Sequence, residues 1–115
     1  MQHANLTPTV VTLPTGESAY FPILDTPRTV NMKSGLVTLE PGQSVGEHST
    51  GQHEETLVIL DGMGEVEAEG IARQKIVRDQ VVYIPPETKH NVSNIGSNAL
   101  RYIFVVSRIW PKNDG

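Results

Sequence analysis

Cysteine is absent from this chain, which excludes disulfides, thiolate metal sites and cysteine nucleophiles. Aromatic residues are scarce, at 5%. Cations are also few: 9 Lys and Arg against 13 Asp and Glu, a formal charge of −4. A surface that binds phosphate needs the opposite balance, so nucleic acid and anionic membranes are not expected partners. No run approaches the roughly 20 apolar residues that span a bilayer. Met1 to Val11 has neither a basic nor a continuously apolar stretch, so it does not read as a secretory signal, and the cytoplasm is the expected compartment. No P-loop, dinucleotide-type glycine pattern or Ser-His-Asp ordering is present either.

What is present is the composition of a folded protein, with 37% apolar and 19% charged residues over 115 positions. That length suits one domain, at roughly 100–200 residues per domain. Helical periodicity never persists. Instead, short apolar runs are bounded by turn formers spread through 10 Gly and 8 Pro. Strands are expected at 35–39, 56–60, around Val66 and Ala68, and at 71–77, 81–84, 91–94 and 100–106. The alternation of Glu65, Glu67 and Glu69 with Val66 and Ala68 predicts a strand with one solvated face. Asp61-Gly62 is expected to close a tight hairpin, and Glu69-Gly70 is a weaker case of the same turn chemistry. Pro85-Pro86 must end a strand, since two successive residues lack N–H donors. Pro8, Pro14, Pro22 and Pro27 make the first quarter an edge or connecting region. The expected fold class is all-β, a sandwich or barrel.

Chemistry concentrates in the histidines. His48 and His53 precede one apolar strand, and His90 follows another; His3 reads as a solvated terminus. His53 and Glu55 lie two apart, so in an extended segment both project from the face of Leu57 and Ile59, with Glu54 opposite. A carboxylate on a strand apolar on both faces is costly to bury unpaired, and a divalent cation held by neutral imidazoles would compensate it. Taken singly, each histidine is most simply a surface or hydrogen-bonded residue. Together with Glu55 they suggest a metal site.

The two segments resemble the paired motifs of the cupin superfamily. The first family motif runs Gly, five residues, His, one residue, His, three or four residues, Glu, six residues, Gly. Here it reads Gly42, His48, Thr50 in the second histidine position, Glu55 and Gly62. The second runs Gly, five residues, Pro, one residue, Gly, two residues, His, three residues, Asn. Here it reads Asp79, Pro85, Glu87, His90 and Asn94, so Asp79 and Glu87 replace two turn glycines. The motifs span residues 42–62 and 79–94, about a third of the chain.

The resemblance implies one cupin domain over 1–115, a double-stranded β-helix or jelly-roll barrel. Residues 1–34 would be edge strands and connections, 35–107 the core barrel and 108–115 a tail. It further implies a divalent transition metal (Fe, Mn, Ni, Zn or Cu) near the barrel mouth, with His48, His53, Glu55 and His90 as candidate ligands. Thr50 leaves three readings open: His53 supplies the missing imidazole, His48, Glu55 and His90 act alone, or the metal has been lost. Three functions follow. One is a metal-dependent enzyme on a small molecule (dioxygenase, isomerase or lyase); the others are a non-catalytic sugar- or metabolite-binding module and a metal-free structural barrel. A homodimer paired through sheet edges is expected.

Other residues read more simply. Tyr102 and Phe104 share a face with Leu100 and Val106 and are expected in the core, with pocket lining as the alternative. Arg101 lies on the opposite face and is expected to reach outward, the alternative being an anchor for an anionic substrate. Trp110-Pro111 reads as a lid or a dimer contact.

Overall fold

The computed structural model describes residues 6–16 and 18–109. His3, Trp110 and Pro111 lie outside them. The described residues contain nine strands and no helix, and hence no helix long and apolar enough to cross a membrane. The strands are β1 (Tyr20–Leu24), β2 (Met32–Leu39), β3 (His48–Ser49), β4 (His53–Asp61), β5 (Met63–Ala68), β6 (Gln74–Val77), β7 (Val81–Ile84), β8 (Lys89–Asn94) and β9 (Leu100–Arg108).

They form two antiparallel sheets, ordered β1-β2-β9-β4-β7 and β3-β8-β5-β6. The barrel is therefore two facing layers, not one sheet closed by hydrogen bonds. Alternation sets which side chains meet between the layers. Along β4, Glu55, Leu57 and Ile59 are buried while their neighbours are not, as period two requires. Leu57 and Ile59 pack with Leu100 and Tyr102 of β9 and with Val66, Ile76 and Val92 of the opposite sheet. Each such apolar side chain contributes about 1.5–3 kcal/mol by leaving water.

Three local expectations change. Asp61-Gly62 does not close a hairpin. Gly62 has φ 89°, but β4 and β5 belong to different sheets, so the turn is a corner between layers. A Cβ there would strike the Ala99 carbonyl and lie 2.8 Å from Leu100 Cα, so only glycine fits the corner. The strand expected at 71–77 shortens to β6, because residues 69–73 make the β5–β6 turn around Gly70 (φ 92°). Finally, the glutamate face of β5 is paired, not merely solvated. Arg73 bridges Glu65 at 3.6 Å and Glu67 at 2.7 Å, and Glu69 accepts the Lys89 N–H at 2.8 Å.

The proline-containing β1 lies at the edge of the five-stranded sheet. Arg101 faces away from the interior and donates to the Pro14 carbonyl at 3.0 Å, tying the amino-terminal segment to the outside of β9. Asp79 (φ 73°) and Glu87 (φ 55°) are the non-glycine residues with positive φ among those described. The backbone keeps the glycine-type bend at both places where the side chain departs from the family motif.

Candidate metal centre

Residues 42–49 run alongside β8 and bring His48 to His90. Gly42 N–H donates to the Asn94 carbonyl, Val45 N–H to the Val92 carbonyl, and His48 stands opposite His90 in the β3–β8 register. From Val45 to His48 the segment takes three steps while β8 takes two, and Gly46 (φ 104°) absorbs the extra residue. Asn91 Oδ1 accepts the Gly46 N–H at 2.9 Å and fixes this bulge. The two imidazoles stand with centroids 4.3 Å apart, inclined at 58°.

Glu55 reaches the same point from the other sheet. One ligating atom from each of His48, Glu55 and His90 falls within 4.8 Å of the other two. Glu55 is 8% exposed and His90 3%, whereas His48 opens to solvent. His53 shares the face of Glu55 and lines the same cavity, but it lies outside this three-atom group.

The donor chemistry fits a divalent cation. His48 Nδ1 lies 3.0 Å from the Gly46 carbonyl and His90 Nδ1 3.0 Å from the Thr88 carbonyl. A carbonyl only accepts, so each Nδ1 carries the proton and each Nε2 is left as the ligating atom, the arrangement that orients metal-bound imidazoles. His90 Nε2 lies 3.1 Å from Glu55 Oε1. Adjacent ligands on metal bonds of about 2.0–2.2 Å stand at about this separation.

Without a cation, His90 has an acceptor on both sides, so a proton must occupy the Nε2–Glu55 contact. Burial is the largest single influence on its pKa and lowers it, but the Glu55 carboxylate and the Thr88 carbonyl together outweigh burial, and the net direction is up. The same contact that calls for a proton is the one a metal ion would replace.

Thr50, in the second histidine position, serves the frame. Its hydroxyl donates to the Pro85 carbonyl at 2.7 Å and accepts the Thr88 N–H at 3.0 Å. The side chain is 8% exposed and staples the β3–β4 turn to the β7–β8 turn, directly beneath the carbonyl that orients His90. Sequence reasoning saw in Thr50 only a missing ligand; its donor and acceptor are both already used.

These groups form the floor of a cavity of about 480 Å³. Its walls are largely apolar and include Val37, Leu57, Val92, Tyr102, Phe104 and Val106. Tyr20 stacks on Phe104 at 6.1 Å, and both rings cross Gly35, where a Cβ would come within 2.6–2.7 Å of them. Tyr102 thus belongs both to the core and to the cavity wall.

Two facing antiparallel sheets with histidines and a carboxylate converging between them define a cupin, and the match to known proteins agrees. The cupin domain family model matches residues 35–106, so this chain belongs to the cupin family. It is 32% identical over 90 residues to polyketide synthase CurC of Streptomyces cyaneus, covering 76% of this chain and 58% of that protein. It is 28% identical to the tetracenomycin polyketide synthase protein TcmJ of Streptomyces glaucescens, covering 76% of this chain and 60% of that one. The chain therefore spans about 60% of the length of either relative. A solved RmlC-like cupin with a double-stranded β-helix fold from Methanocaldococcus jannaschii aligns with a TM-score of 0.72 at 19% identity. That alignment covers 90% of this chain and 92% of the other, and supports the fold.

Proposed function

We propose that this chain is a metal-dependent protein acting on a small molecule, with His48, Glu55 and His90 as the ligands and His53 beside them on the cavity wall. The observation that carries the reading is the convergence of two oriented imidazoles and one buried carboxylate on the floor of a largely apolar cavity. A bound cation would supply Lewis-acid polarisation of a substrate oxygen or activation of water. The chain's own residues do the remaining work. Gly46 and Thr88 hold the ring tautomers, Thr50 holds Thr88, and the apolar walls exclude water from the substrate. Two relatives carry polyketide synthase names, which supports a metabolite substrate and an enzymatic role over mere storage of an ion. Pairing of two copies is part of this reading, supported by β1 and β7 standing as edge strands of the five-stranded sheet.

The test is a calorimetric titration of metal-stripped protein with Zn(II), Mn(II), Ni(II), Cu(II) and Fe(II). One equivalent of at least one ion should bind, and His90→Ala should weaken it by more than about 100-fold, since changes to groups that merely orient ligands already cost 10–100-fold. A protein that binds none of these ions, or binds them equally well without His90, overturns the reading.

A further inference from the structure

One polar group on the cavity wall has no role in holding the cation. Tyr102 is 3% exposed and lines the cavity, yet its hydroxyl makes no hydrogen bond to any described residue. It is not sealed off, because Thr38 Oγ1 is the only fully enclosed side-chain polar atom without a partner among the described residues. The Tyr102 hydroxyl therefore opens into the cavity. There it is placed to hydrogen-bond whatever occupies the cavity, water or ligand, which phenylalanine could not do.

We propose that Tyr102 is the ligand-reading residue of this cavity, donating its hydroxyl proton to a neutral acceptor oxygen (a ketone, ester or ether) on an otherwise apolar molecule. The inference rests on the proposed small-molecule site and names the class of molecule it takes. Three observations select that class. The surrounding walls, Val37, Val45, Leu57, Val92, Phe104 and Val106, offer no competing hydrogen bond through their side chains. The Glu55 carboxylate is engaged by His90 Nε2 at 3.1 Å, so it does not compete as a partner for the ligand. Burial, aided by that carboxylate, pushes the Tyr102 pKa well above the usual phenol value, so the hydroxyl keeps its proton and donates. Selectivity of this kind is large for its size: a site built around one buried hydrogen bond rejects the isostere that cannot make it.

The experiment compares acetophenone with ethylbenzene, which differ by a carbonyl oxygen in place of two hydrogens, binding to wild type and to Tyr102→Phe with metal removed and again with Zn(II) added. Tyr102→Phe should weaken acetophenone by about 5–10-fold and change ethylbenzene by less than about twofold, the signature of one neutral hydrogen bond. In wild type, acetophenone should shift the Tyr102 Cζ resonance beyond the ring-current shift that ethylbenzene causes, a readout that does not depend on the variant. Equal effects on both probes, or no acetophenone binding to wild type, overturn the proposal. Because the ratio is read without metal, it survives a failed metal titration, and a successful titration does not rescue it.

Discussion

The two ends of β8 bury polar side chains on the same face and treat them in opposite ways. At the closed end, Asn94 is 2% exposed and fully used. Its amide donates to the Leu39 carbonyl at 2.8 Å and the Asn98 carbonyl at 2.9 Å, and its oxygen accepts the Gly96 N–H at 2.8 Å. At the open end, His90 is as deeply buried but is flanked by acceptors alone, the Thr88 carbonyl and the Glu55 carboxylate. Asn94 is complete as the chain folds. His90 and Glu55 are complete only with a proton or a cation between them. A polar residue inside a sheet sandwich is architectural where its own partners satisfy it, and points to function where they do not.

The sharpest way to break the comparison is at the closed end. Asn94→Ala removes three hydrogen bonds and strands buried backbone groups, so it should cost about 2–4 kcal/mol in denaturant unfolding of the metal-free protein. Metal stoichiometry of the protein that remains folded should be unchanged. Loss of metal binding with little loss of stability would mean the two ends have exchanged roles.

A pH series sharpens it at the open end. The His90 pKa is raised in the folded state, so the contact stabilises the metal-free protein fully below the unfolded value of about 6.5 and is lost as pH rises through the folded value. Stability without metal should therefore fall across that window, while affinity for Zn(II) should rise, because the ion displaces the proton. Glu55→Gln should flatten the first dependence, measured by chemical unfolding at fixed ionic strength.

The smallest effects belong to the bends that frame the second motif. Asp79→Gly and Glu87→Gly should each raise stability by up to about 1 kcal/mol, because glycine takes positive φ without steric penalty. Neither should alter metal affinity, as read by the same titration.

The strands of the core were legible because alternation survives in sequence: Glu55, Leu57 and Ile59 declare one face of β4, and Leu100 and Tyr102 one face of β9. The two-residue β3 carries too little pattern to be seen, and the prolines mark the first quarter as edge or connection without fixing the bounds of β1. Asp61-Gly62 announces a bend, but which sheet the chain enters next depends on partners far away, so a corner was read as a hairpin. The same limit explains the site. Spacing brought His48, Glu55 and His90 together as candidates, and it also gathered His53, whose place at the cavity wall depends on the turn before β4. Thr50 looked like a gap because a hydroxyl's partners, here the Pro85 carbonyl and Thr88 N–H, come from a segment more than thirty residues away. Period two places Tyr102 inside, but it does not distinguish a core side chain from one that borders open space.

The candidate ligands also straddle the gap between layers, with both imidazoles on the four-stranded sheet and the carboxylate on the five-stranded one. An ion seated there would act as a rivet, clamping two plates that are otherwise joined at this end by the His90–Glu55 contact and the Thr50 staple. Stripping it would do more than silence any chemistry: the mouth would be left free to breathe, and rigidity and cargo would depart together.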